Sequence, residues 1–193
     1  MKVDDLLQHL KNANVQAFLK MLRWCEGTAG PDGYRTLFGS SLFENNFADH
    51  PRKVIEARLG TEVLKSTAAG AYQFLSKTWD GLVAKYNFPD FSPATQDFAA
   101  VALILGRGAL DDVLAGRFEQ AVRKCNKEWA SLPGSLYGQP TRSMEQARKT
   151  YETYGGKYAE QGSVEPIKES KMVPLPIIGL AIQAIAAFMP KVR

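Results

Sequence analysis

The chain is poor in the residues that build metal centres and disulfide frameworks. Its 193 residues include only two cysteines and two histidines. Cys25 and Cys125 lie far apart, neither belongs to a CxxC pair, and His9 and His50 are equally isolated. A zinc site needs such ligands at close spacing, so neither a metal nor any other cofactor is expected. Spacing alone cannot pair the cysteines, and two buried thiols are the simpler expectation. The N-terminus, Met1-Lys-Val-Asp-Asp, has no apolar run of the kind that begins a signal peptide, so any export is expected to use another route. No internal repeat stands out. No predicted helix carries a clustered basic face, so nucleic acid is not an expected partner.

What remains suits one main domain with an appendage. The chain is 45% hydrophobic, enough for a real core, and 23% charged. Its formal net charge of +4 fits an acidic partner such as a cell wall or a membrane surface without choosing between them.

The informative stretch is Phe18-Leu-Lys-Met-Leu-Arg-Trp-Cys-Glu-Gly27. Val15, Phe18, Leu19 and Leu22 fall at i, i+3, i+4 and i+7 and predict one apolar helix face. One turn further along that face stands Glu26, and Gly27 can end the helix in a left-handed conformation. Partial burial and the negative end of the helix dipole both disfavour the charged carboxylate. Glu26 should therefore hold a proton near neutral pH and be able to donate it, as a general acid must.

Elsewhere the periodicity is mostly helical. Val3, Leu6, Leu7 and Leu10 predict a short helix, with Asn12 or Asn14 capping the next. Residues 27–60 are irregular, and Tyr34–Phe38 and Leu42–Phe47 read as short strands around Gly39-Ser40. His50, a lone histidine before a proline, reads as a loop hydrogen-bonder. Lys65–Gln73 is rich in small residues, which allow close approach of a ligand or a helix; Tyr72 and Gln73 then offer a flat ring and a two-way hydrogen-bonder suited to a sugar. Leu75–Tyr86 predicts an amphipathic helix. Ser92-Pro93 opens a nearly continuous apolar helix to about Leu105, expected at the centre of the core. Leu110–Leu114, Phe118–Trp129 and 141–154 predict three more. Tyr137 and Gln139 stand between glycines on a loop and are further sugar-binding candidates. The globular domain is expected over 1–156.

The tail has a different character. Residues 157–171 read as a polar linker. Met172–Pro190 then carries no charge and is flanked by Lys171 and Lys191. About 13 residues separate Pro176 from Pro190, roughly 20 Å as helix, short of the ~30 Å hydrocarbon core. A segment that lies on or inserts into a membrane is the first expectation, and a helix docked on this domain or a partner the second.

The blocks Phe18-Leu-x-Met-Leu-x-Trp-x-Glu-Gly-Thr28, Asp49-His-Pro-Arg-Lys53, Lys65-Ser-Thr-x-x-Gly-x-Tyr-Gln73, Phe91-Ser-Pro-x-x-Gln-Asp97, Arg107-Gly-Ala-Leu110 and Trp129-Ala-Ser-Leu-Pro-Gly-x-x-Tyr-Gly-Gln139 resemble the phage lambda endolysin family in order and spacing. The resemblance implies a lysozyme-like α+β fold, mostly α, with a small β-hairpin region beside a helical lobe. It implies a lytic transglycosylase acting on peptidoglycan glycan strands, with Glu26 as the single catalytic acid/base and Tyr72, Gln73, Tyr137 and Gln139 lining the cleft; Tyr34 is a further candidate for binding substrate. It also implies a monomer made in the bacterial cytoplasm that acts on the periplasmic wall, at lysis or from a virion.

One departure concerns a second acid. Arg35 follows Tyr34 where the family pattern has Asp. A hydrolytic muramidase, which uses two carboxyls, would have to recruit Asp32, Glu44 or Asp49. A non-catalytic wall-binding module is the alternative outside enzymes.

Overall fold

The computed structural model describes residues 3–44, 47–59, 62–136 and 141–159. The main lobe is helical. Helix α1 (Val3–His9) precedes α2 (Ala13–Cys25), whose start is set by Asn12: its Oδ1 accepts the amide protons of Asn14 and Val15 at 2.9 and 3.2 Å. The predicted stripe is the buried one, with Val15, Phe18, Leu19 and Leu22 all at most 3% exposed. Helix α3 (Ser76–Tyr86) leads to α4 (Pro93–Gly106), capped by Ser92 and opened by Pro93. Phe98, Ala99, Ala100, Val101, Ala102 and Ile104 of α4 are buried, so it is the central helix its apolar run predicts. Short helices α5 (Leu110–Ala115) and α6 (Phe118–Cys125) follow, and α7 (Met144–Thr153) packs back on α2. Asp112, 6% exposed, is held by Arg117 Nε at 2.7 Å and Lys124 Nζ at 2.6 Å, which satisfies its charge between α5 and α6.

The small β region is present but not where the sequence reading put it. The strands are β1 (Ile55–Leu59) and β2 (Glu62–Ser66), antiparallel, with Ala57 opposite Leu64. Ile55, Ala57 and Leu64 share one face and pack on Phe38, Ala68 and Leu75. Where strands were expected over Tyr34–Phe38 and Leu42–Phe47, the described residues 33–44 contain two 3-10 turns, Gly33–Arg35 and Phe38–Ser40. Gly39 and Ser40 both take positive φ, +76° and +73°, and fold the chain so tightly that a lone Thr36–Leu42 bridge forms in place of a ladder.

Residues Lys157–Ala159, expected in the linker, are docked on the domain. The Lys157 amide donates to Asn14 Oδ1 at 2.8 Å and the Ala159 amide to the Gly116 carbonyl at 3.0 Å. Tyr158 packs on Phe118 and Tyr151. Gly116 makes this approach possible, because a Cβ there would collide with the Lys157 carbonyl. The apolar segment Met172–Pro190 and the rest of the expected linker lie outside the described residues. Among the described residues no helix is long and apolar enough to cross a membrane.

Candidate active site

Glu26 caps the C-terminus of α2, and the chain leaves the helix by a Schellman turn. The Thr28 amide bonds the Arg23 carbonyl at 2.8 Å, the Gly27 amide bonds the Trp24 carbonyl at 3.2 Å, and Gly27 takes φ +73°. The turn is locked in place. Thr28 is 2% exposed and its hydroxyl reaches the Ala71 carbonyl at 2.5 Å. Gly33 presses against the Thr28 carbonyl with no room for a Cβ.

Glu26 is 4% exposed. Ser131, on the loop after α6, donates its hydroxyl to Glu26 Oε1. Burial raises the carboxyl from 4.5 to about 7, and the Ser131 hydrogen bond partly opposes it. Among the described residues no charged neighbour figures in that shift. A carboxyl with this affinity divides its time between acid and conjugate base at neutral pH, which suits a group that must give a proton and take one back.

The wall beside Glu26 is built on Asp97 of α4. Its Oδ1 accepts the hydroxyls of both Tyr34, at 2.8 Å, and Tyr72, at 2.6 Å. Burial, then the adjacent Asp97 charge, pushes Tyr34 up to about 12, and the same causes raise Tyr72, so both stay neutral donors. Arg23, one turn before Glu26, lies over the Tyr34 ring at 4.4 Å and reaches the Thr28 carbonyl at 3.3 Å. Gln96, fully buried, joins three segments: Oε1 accepts the Ala71 amide at 2.8 Å, and Nε2 donates to the carbonyls of Phe91 at 2.8 Å and Tyr34 at 3.1 Å. Trp129 Nε1 bonds the Tyr72 carbonyl at 3.2 Å and ties the Ser131 loop to the same wall.

These contacts change the roles expected of Tyr72 and Gln73. Tyr72 is 1% and Gln73 5% exposed. The Gln73 amide donates to the carbonyls of Thr36 and Gly70, at 3.1 and 3.0 Å. Both therefore belong to the wall's interior, with their polar groups committed to protein partners. Tyr34 is half-buried and reaches the surface of that wall. Tyr137 and Gln139 lie outside the described residues. After β2 the small-residue stretch containing Tyr72 forms a tight turn, closed by paired hydrogen bonds between Ala69 and Phe74.

The other ionisable candidates are elsewhere engaged. His50, 3% exposed, has its Nε2 2.9 Å from the Phe74 carbonyl and accepts the Arg52 amide at Nδ1, 3.0 Å. That pattern requires a neutral ring protonated at Nε2, and burial pulls its pKa down accordingly. Asp49 pairs with Arg52 and accepts Trp79 Nε1 at 3.1 Å. Asp32 and Glu44 are exposed. Both thiols are buried, unpaired in a disulfide and pushed far up by burial, as expected of core cysteines. Among the described residues no group of three or more His, Cys, Asp or Glu could hold a metal ion. Ser131, Gln96 and Asp97 fall within the quoted blocks, but no role follows from the sequence, because their partners are too distant in the chain for a local pattern to reveal.

Comparison with known proteins agrees with this architecture. A family model described as Endolysin matches residues 16–158. The endolysin of Escherichia phage lambda is 39% identical over 155 residues, covering 77% of this chain and 96% of that protein. The endolysin of Escherichia phage P2 is 41% identical over 158 residues, covering 74% and 93%. The structure of bacteriophage lambda lysozyme complexed with a chitohexasaccharide matches with a TM-score of 0.70 at 38% identity, over 76% of this chain and 97% of that one. With a lysozyme fold and a buried, proton-holding glutamate at the end of its second helix, the chain belongs to the endolysin family of peptidoglycan-degrading, lysozyme-like enzymes.

Proposed function

We propose that the enzyme is a lytic transglycosylase that cuts the β-1,4 bond between N-acetylmuramic acid and N-acetylglucosamine. Glu26, protonated, gives its proton to the glycosidic oxygen as the bond to the muramoyl C1 breaks. The resulting carboxylate then takes the proton of the C6 hydroxyl while O6 bonds to C1. The product is a 1,6-anhydro-muramoyl end, no water is consumed, and Glu26 regains its starting form. Ser131 steadies one carboxyl oxygen through both steps.

The observation that carries this reading is the electrostatic isolation of Glu26. Among the described residues, burial raises its proton affinity, the Ser131 hydroxyl opposes that rise, and no carboxylate figures beside them. Hydrolytic glycosidases commonly work with two carboxyls close enough to cooperate. An attacking hydroxyl supplied by the substrate itself needs only one. The test is mass spectrometry of muropeptides released from purified sacculi by wild type and Glu26→Gln. Products lighter than reducing muropeptides by one water, absent with the variant, are expected. Full-mass reducible products would replace this reading with hydrolysis.

We also infer that Met172–Pro190 contacts a membrane, the enzyme acting on the wall from its membrane-facing side. The support is its composition: an uncharged stretch between Lys171 and Lys191 combines apolar burial with attraction to anionic headgroups.

A further inference from the structure

One turn before Glu26, α2 carries a half-buried arginine that the proposed reaction does not use. Arg23 binds Thr28, two residues beyond the acid, with both its main chain and its side chain. Its carbonyl accepts the Thr28 amide at 2.8 Å, and its Nη2 donates to the Thr28 carbonyl at 3.3 Å. Nη2 also reaches the Gly30 carbonyl at 3.4 Å, and Nη1 the Tyr34 hydroxyl at 3.4 Å. A Cβ on Gly33 would come within 3.2 Å of Nη2, so the loop passes tight against the guanidinium. Each side-chain bond is long, and the hold lies in their acting together. Glu26 stands inside the step that Arg23 and Thr28 close.

The arrangement carries a cost. Arg23 Nε is buried and has no hydrogen-bond partner, which is true of no other side-chain nitrogen or oxygen among the described residues. An orphaned buried donor destabilises the fold, and an apolar side chain of similar length would avoid that loss. An apolar chain could not hold the Thr28 and Gly30 carbonyls. The charge itself is directed elsewhere. Arg23 faces Asp97 across Tyr34, whose hydroxyl donates to Asp97 Oδ1 at 2.8 Å, and the two charges act in opposite senses on the Tyr34 and Tyr72 phenols. The other ionisable groups at this corner are Cys25 on α2 and Arg142, whose amide donates to the Ser131 carbonyl at 3.2 Å. Burial holds the thiol and both phenols protonated through the neutral range. Among the described residues, none of these groups figures in the Glu26 shift.

We propose that Arg23 is a positioning residue: it holds the turn after α2 closed and so keeps the Glu26 carboxyl buried against Ser131. This rests on Glu26 being the acid of a peptidoglycan-cleaving enzyme, but not on whether cleavage consumes water. Loosening the turn admits water to the carboxyl, and a solvated carboxyl gives up its proton more readily. That effect is opposite in sign to the one expected of a neighbouring cation. Removing a cation that acted through its charge would raise the proton affinity of Glu26; removing a clamp that acts through burial lowers it.

The test titrates Glu26 directly, by NMR of carboxyl-labelled glutamate with the resonance assigned from Glu26→Gln, and follows kcat/KM against pH on solubilised wall strands. Arg23→Met is similar in length but has neither donors nor charge. In it the Glu26 pKa should fall from about 7 by about one pH unit, and the alkaline limb of kcat/KM should fall with it. Arg23→Lys keeps the charge but not the fork that spans two carbonyls. It should show a smaller fall in the same direction, and it serves as the test if Arg23→Met does not fold. A Glu26 titration unchanged from wild type would make Arg23 a plain structural contact, and a rise would make it an electrostatic partner; either overturns the proposal. A fall in the Glu26 titration that the alkaline limb does not follow would support the positioning role and overturn Glu26 as the acid, so the two failures are distinguishable.

Discussion

Ser131 donates its hydroxyl to a carboxylate that stands 105 positions earlier in the chain, on Glu26. The bond favours the charged form of Glu26, while burial, the larger effect, favours the protonated one. The balance leaves the group near neutrality.

Removing Ser131 should therefore move the pH profile in a defined direction. In Ser131→Ala the carboxyl loses the one interaction among the described residues that lowers its pKa, which should rise by about one unit. If protonated Glu26 is the acid, the alkaline limb of kcat/KM moves to higher pH. The check is kcat/KM against pH on solubilised wall strands; a limb that stays in place or moves down would contradict the assignment.

Glu26 should also cost the fold stability. Its pKa rises from 4.5 to about 7 on folding. The folded state thus binds the proton more tightly than the unfolded chain. That contribution is complete below about pH 4.5 and is lost as pH rises through about 7, up to about 3 kcal/mol in all. Glu26→Gln cannot ionise and escapes the loss. Its stability relative to wild type, measured by urea denaturation, should increase between pH 5 and pH 8. A constant difference across that range would mean that Glu26 does not titrate as described.

Gly70 and Gly108 should respond differently to the same substitution. Both take positive φ, +79° and +65°. A Cβ on Gly70 would overlap Gln96 Oε1 in the buried hub of the wall, whereas Gly108 has open space around it. Gly108→Ala should cost about 1 kcal/mol, from backbone strain alone. Gly70→Ala should cost several kcal/mol, since strain and the displaced Gln96 add. Thermal melts of the two variants suffice, and equal losses would refute the packing argument.

The C-terminal strap gives a truncation test. Ending the chain after Ala159 keeps its bonds to Asn14 and Gly116; ending it after Gly155 removes them along with Tyr158. The longer form should melt like the full chain, and the shorter should lose about 2–3 kcal/mol. If Met172–Pro190 contacts membrane, both truncations should lose flotation with anionic liposomes yet the longer should still cleave isolated wall. Flotation equal to that of the full chain would reject the membrane proposal.

What the sequence revealed follows the range of the interactions involved. The α2 stripe, the Asn12 and Ser92 caps and the stop at Gly27 are legible because each is decided within a few residues. The hairpin was misplaced because Tyr34–Phe38 has the aromatic and β-branched residues of a strand, yet Gly39 and Ser40 fold it into turns. The truer alternation, Ile55 and Ala57 on β1 against Leu64 on β2, is short and sits among charges. Glu26 could be found because its helix displays it. Ser131, Gln96 and Asp97 stand inside the blocks that carry the resemblance, but their roles could not be read there, since those lie in partners brought together by the fold. Tyr72 and Gln73 carry side chains suited to sugar, and only the fold shows their polar groups bonded to Asp97, Thr36 and Gly70.

The Ser131–Glu26 bond has one more consequence. The two residues come from opposite ends of the domain and meet when α2 and the loop after α6 have both docked. Until then Glu26 is an ordinary solvated carboxylate, fully ionised at neutral pH and useless as an acid. Catalytic competence is thus a property of the assembled site: a chain in which Glu26 is still solvated cannot hold the proton at neutral pH, and is chemically silent.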